Sequence, residues 1–144
     1  MKKIVVTSGY FNPLHIGHIN LIREAKKLGE FLVVIVNNDE QVKIKGSDPF
    51  MPESERMEII KALKHVDEVF LSIDKDKTVI KSLERIFQKY KGIELIFAKG
   101  GDSTSENVPE LDICNKFGAQ VVLDVGGGKI QSSSWLINKT KNGG

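Results

Sequence analysis

Two histidines three residues apart, His15 and His18, stand where an apolar run gives way to an amphipathic one. Spacing of three places both imidazoles on one face of a single helical turn. A helix start also presents free backbone N–H groups and positive potential, so it attracts phosphate. Two imidazoles there add hydrogen-bond donors for phosphate oxygens. Gly17, between them, removes a side chain where a ligand would approach closely. Two plainer readings stay open. In one, the rings serve only as a cap or padding for the helix start. A metal pair would need a third ligand, and the only other histidine, His65, closes a distant helix.

The elements that would position these residues follow from hydrophobic spacing. Lys3 to Thr7 is β-branched and reads as a buried strand ending at Ser8-Gly9. Ile19, Leu21, Ile22, Ala25 and Leu28 recur at helical spacing, with Gly29 where a C-cap glycine belongs. Phe31 to Val36 is apolar on both faces, as a central parallel strand should be. Pro52-Glu53-Ser54-Glu55 opens a helix continued by Met57, Ile59, Ile60 and Leu63. Further strands are expected at 69–71, 95–98 and 121–123, with helices over 77–90, 108–117 and 132–141.

Strand alternating with helix implies an α/β fold: a Rossmann-like open parallel sheet of five strands with helices on both faces. Ligands bind such sheets outside the carboxyl ends of the strands, at the switch point. Four loops are thereby selected, at 8–17, 37–52, 99–107 and 124–131. Residues 1–144 read as a single domain, with no internal repeat and no linker.

Composition narrows the function classes. Lys+Arg 21 against Asp+Glu 19 gives a net charge of +2, so no global basic field argues for nucleic acid. No run is long enough to span a membrane, and no targeting segment is visible, so the cytoplasm is the expected compartment. The single cysteine, Cys114, cannot form an internal disulfide and reads as a small core residue. A redox dinucleotide domain is disfavoured, because no Gly-x-Gly-x-x-Gly follows the first strand.

The whole segment Gly9-Tyr10-Phe11-Asn12-Pro13-Leu14-His15-Ile16-Gly17-His18 resembles the signature of the cytidylyltransferase-like nucleotidyltransferases, which carry His-x-Gly-His after their first strand. The resemblance extends along most of the chain. Lys45-Gly46 followed by Pro52 to Arg56 is similar to the family's lysine loop and arginine-bearing helix. Lys99-Gly100-Gly101-Asp102 resembles a loop of the adenylyltransferase half of the bifunctional ADP-heptose synthesis protein. Ser132-Ser133-Ser134 stands where the family opens its last helix with Ser-Thr-Thr. Asn12 replaces a common Asp, and Tyr10 replaces a smaller residue.

The resemblance implies attack by a substrate phosphate on the α-phosphate of a nucleoside triphosphate, with release of pyrophosphate. It implies His15, His18 and Lys45 as the catalytic set, donating to triphosphate oxygens and adding positive charge. It implies nucleotide contacts from Gly9, Tyr10, Phe11, Asn12, Gly17, Gly101, Asp102, Ser132, Ser133 and Ser134. Arg56 would hold the acceptor's phosphate. Mg²⁺ would arrive with the triphosphate, with no dedicated metal site on the protein. A homodimer is also implied. A sugar- or polyol-phosphate acceptor is expected, with heptose 1-phosphate and ATP leading on the Lys-Gly-Gly-Asp loop, and a part in lipopolysaccharide biosynthesis would follow. Glycerol 3-phosphate with CTP and FMN, the substrate of an FAD synthetase, are the rivals within the family. A nucleotide-binding module without chemistry is the rival of another class.

Overall fold

The computed structural model of the chain describes residues 3–101 and 108–126. Five strands form one parallel sheet: β1 (Lys3–Gly9), β2 (Phe31–Val36), β3 (Glu68–Leu71), β4 (Glu94–Ala98) and β5 (Gln120–Val122). Their order is β3-β2-β1-β4-β5. The chain therefore winds outward from β1 in one direction, then returns to β1's other side through β4. That reversal puts a crevice at the carboxyl ends of β1 and β4, where parallel sheets receive ligands.

Helices α1 (Ile16–Lys26), α2 (Asp39–Ile44), α3 (Glu53–Lys61), α4 (Ile80–Lys89) and α5 (Leu111–Phe117) complete the described elements. Strand residues alternate between two cores, as a pleat with period two requires. Val5, Leu32, Val34 and Ile96 pack with Ile22 and Ala25 of α1 and Ile60 of α3. Ile4, Val6, Val33, Ile35 and Phe97 pack on the opposite face with Leu83, Ile86 and Phe87 of α4 and with Cys114 of α5. Cys114 is thus the core residue its composition suggests. Leu32 to Val36 are all fully buried, which is why β2 reads as a continuous apolar run. Each such side chain contributes about 1.5–3 kcal/mol relative to exposure.

Three expectations are corrected. The loop after β2 contains α2, capped reciprocally by Asn38 and Gln41. Gly29 does not end α1 in the left-handed region; Lys27 is the C-cap, in right-handed geometry. Gly29 is instead needed for close approach, because a Cβ there would lie 2.8 Å from Val5 Cγ2 and 2.9 Å from Lys3 O. Helix α5 begins at Leu111, three residues later than position 108. Among the described residues, no helix is long and apolar enough to cross a membrane. The expected last helix at 132–141 lies outside the described residues.

Candidate functional site

The segment joining β1 to α1 is built tightly. Phe11 takes a left-handed backbone (φ 52°) and is only 1% exposed. Its ring leaves no room at Gly9, where a Cβ would meet Phe11 Cζ at 2.6 Å. The Asn12–Pro13 peptide is cis. Asn12 Nδ2 donates to Asp48 O at 2.8 Å, and its Oδ1 accepts from the Met51 N–H at 3.1 Å. Phe11 and Asn12, both expected at the nucleotide, thus do structural work. Phe11 is a core residue whose ring meets His18 edge-on at 5.0 Å. Asn12 ties the first loop to the second.

The two histidines form one unit. His15 is the N-cap of α1, its Nδ1 accepting from Gly17 N–H at 3.1 Å. His18 reaches back, its Nδ1 accepting from His15 N–H at 3.1 Å. The rings lie 3.8 Å apart, tilted by 31°. The capping expected as a plain alternative is therefore real, and it also has a chemical consequence. A ring nitrogen that accepts cannot carry the proton, so in each neutral ring Nε2–H is the donor. Gly17 permits the arrangement, since a Cβ there would lie 2.9 Å from His15 Cε1.

Burial pulls the pKa of His18 down to about 4, helped by the neighbouring charges of His15 and Lys45. His18 is thus a neutral donor at pH 7. The folded state resists protonation of His18 between its ordinary value near 6.5 and about 4, whereas the unfolded chain does not. The unfolded state then binds more protons, so this contribution to stability is full above pH 6.5 and declines toward pH 4. His18→Asn should flatten that part of the melting temperature–pH curve. An unchanged slope between pH 6.5 and 4 would contradict the assignment.

Lys45, the C-cap of α2, brings a cation from the second loop. Its Nζ lies 4.2 Å from the centroid of the Tyr10 ring, and its charge is felt by His18. His15, His18, Tyr10 and Lys45 are therefore assembled from two loops at the carboxyl edge of the sheet. Gly101 follows β4 with φ 69° and is exposed. Asp102, Ser132, Ser133 and Ser134 lie outside the described residues.

Arg56 does not stand open to an acceptor. It is fully buried and donates to Met51 O (3.0 Å), Tyr10 O (2.7 Å), Asn37 O (2.6 Å) and Asp39 Oδ1 (2.6 Å). The planar fork suited to a phosphate is spent on three carbonyls and a carboxylate. Arg56 pins the β1 loop, the β2 end and the start of α3 to one another, and so positions Tyr10.

Sequence reasoning placed Lys99 in the Lys-Gly-Gly-Asp loop without giving it a role, and it passed over Glu110. Lys99 directly follows β4, its side chain 24% exposed, with Nζ 3.8 Å from Glu110 Oε1. Glu110 is 2% exposed. Its Oε2 accepts from Val79 N–H at 3.0 Å, while Oε1 has no hydrogen bond among the described residues. Burial, and then the Glu110 carboxylate, push the Tyr10 phenol upward, so this pair adjoins the same crevice. The signal available was Lys99's place at a strand end; Glu110 had none, lying in an ordinary helix-start sequence.

A profile of the cytidylyltransferase-like family matches residues 6–125, from within β1 to just past β5. The chain belongs to the cytidylyltransferase-like family. Within it, the chain is 46% identical over 86 residues to an FAD synthase of Ferroglobus placidus, covering 60% of this chain and 54% of that protein. It is 35% identical over 144 residues to the bifunctional protein HldE of Desulfatibacillum aliphaticivorans, covering 99% of this chain and 28% of that one. The chain thus spans about half or less of the length of these relatives. Among solved structures, the lipopolysaccharide core biosynthesis protein of Thermoplasma volcanium matches with a TM-score of 0.69 and 28% identity, covering 85% of this chain and 96% of that chain.

Proposed function

We propose that this cytidylyltransferase-like chain is a nucleotidyltransferase acting on a sugar- or polyol-phosphate, with ATP as the favoured donor. A phosphate oxygen of the acceptor attacks the α-phosphorus of the triphosphate. The bond from that phosphorus to the bridging oxygen of the β-phosphate breaks, and pyrophosphate leaves with the electron pair. The nucleophile is already an anion near neutral pH, so no side chain need remove a proton. The protein has to align two anions and neutralise charge in the in-line transition state.

One observation carries this reading: the reciprocal cap that fixes His15 and His18 as adjacent Nε2–H donors at the start of α1. Lys45 supplies positive charge from the facing loop. Ser132, Ser133 and Ser134 would add hydroxyls to the phosphates, and Gly101 with Asp102 would adjoin the base or ribose. A divalent cation would be held by the triphosphate's own oxygens.

Heptose 1-phosphate is the favoured acceptor, supported by the Lys99-Gly100-Gly101-Asp102 loop and by the match to part of HldE over 99% of this chain. FMN is the second reading, favoured by the higher identity to the FAD synthase. The test is pyrophosphate release from ATP and CTP with heptose 1-phosphate, FMN and glycerol 3-phosphate. Release with one pair assigns both substrates. Saturable triphosphate binding without release from any pair would support a binding module and contradict the proposal.

A further inference from the structure

With Arg56 buried, the crevice needs another cation for the acceptor, and the geometry points to Lys99. We propose that the acceptor binds on the α4/α5 side of the β1–β4 switch point, its phosphate on Lys99 and one of its hydroxyls on Glu110 Oε1. This inference rests on the transfer reaction proposed above, whose acceptor it places and whose chemical class it narrows.

The placement follows from the pleat. Phe97 faces the core shared with α4 and α5, and Lys99, two residues on, sets its ammonium 5.8 Å from the Phe97 ring centroid. Lys99 is therefore on that face. The histidines are on the other side, since His18 rests against Phe11, which belongs to the core under α1. Tyr10 stands between them, with Lys45 over its ring and the Glu110 charge felt at its phenol. One side of the crevice thus offers donors for a triphosphate, and the other offers a separate cation.

Glu110 supplies the chemical detail. A buried carboxylate oxygen normally has a donor. Oε2 has one in the Val79 N–H. Among the described residues, Oε1 has only the Lys99 ammonium at 3.8 Å, which is attraction at a distance too long for a hydrogen bond. A cation beside an unsatisfied carboxylate oxygen matches a ligand carrying a phosphate and a nearby hydroxyl: the anion meets Lys99, and the O–H donates to Oε1. A phosphate without a hydroxyl would leave Oε1 as it is. Glu110 is then the residue that selects a polyol.

Isothermal titration calorimetry with glycerol 3-phosphate and n-propyl phosphate, which lacks the hydroxyls, tests this without requiring turnover. The wild-type chain should bind glycerol 3-phosphate more tightly by on the order of ten- to a hundredfold, the strength of a hydrogen bond to a charged group. Glu110→Gln keeps an acceptor for Val79 N–H, and it should abolish most of that preference. Lys99→Met should weaken both ligands alike, by about tenfold or more. A preference retained in Glu110→Gln, unchanged binding in Lys99→Met, or no preference in the wild type would each overturn the inference. The two readings fail separately. These shifts without pyrophosphate release would remove the transfer chemistry and leave the subsite; release without the shifts would do the reverse.

Discussion

Replacing either His15 or His18 by alanine should lower the turnover number by about a hundred- to a thousandfold, the usual cost of one preorganised donor to a developing charge. The loss belongs in kcat, because the Nε2–H groups are fixed by the cap before substrate arrives and act on charge that grows in the transition state. The two substitutions should not add. His18→Ala removes the acceptor for His15 N–H, and His15→Ala removes the acceptor for Gly17 N–H. Either change also removes the ring that packs 3.8 Å from the other, so the double variant should be little worse than either single one. The structural cost is small by comparison, on the order of 1 kcal/mol for a lost N-cap. Steady-state kinetics with matched thermal melts separates the effects. A near-normal kcat in either variant would remove that histidine from the chemistry.

Arg56→Leu should destabilise the protein by about 3 kcal/mol, since it leaves three carbonyls and a partly exposed carboxylate without their donor. Asp39 loses its guanidinium, and the carbonyls of Met51, Tyr10 and Asn37 lose their donor. For a chain of this size the melting temperature should fall on the order of 10 °C. Arg56→Lys should recover only part of this, because an ammonium has three donors and no planar fork. A phosphate-binding role for Arg56 makes the opposite forecast. That variant would melt normally and show a raised KM for the acceptor.

Much of this architecture is visible in the residues. β2 announces itself as an unbroken apolar run because both of its faces are covered, and the amphipathic spacing of α1 and α4 follows from each lying on one face of the sheet. His15 and His18 are legible because their meaning depends only on local spacing at a helix start. The rest depends on contacts distant in sequence. Arg56 looks like a free cation on a helix until Tyr10 O, Asn37 O and Met51 O converge on it. Phe11 sits within the signature, yet its left-handed backbone turns the ring into the core. Gly29 looks like a cap, but what requires it is the strand passing beneath. Glu110 acquires meaning only from Val79 and Lys99, which lie on other elements. Helix α2 has one buried apolar residue, Val42, which is too little periodicity to register. Its Asn38-to-Gln41 spacing is a capping signal that could have revealed it.

The most direct test of nucleotidyl transfer is phosphorus NMR of the chain incubated with ATP or CTP and each phosphorylated acceptor. The expected result is pyrophosphate appearing in step with one new phosphoanhydride, for one donor–acceptor pair, with both signals nearly lost in His18→Ala. Triphosphate that binds and stays intact beside every acceptor would contradict the assignment.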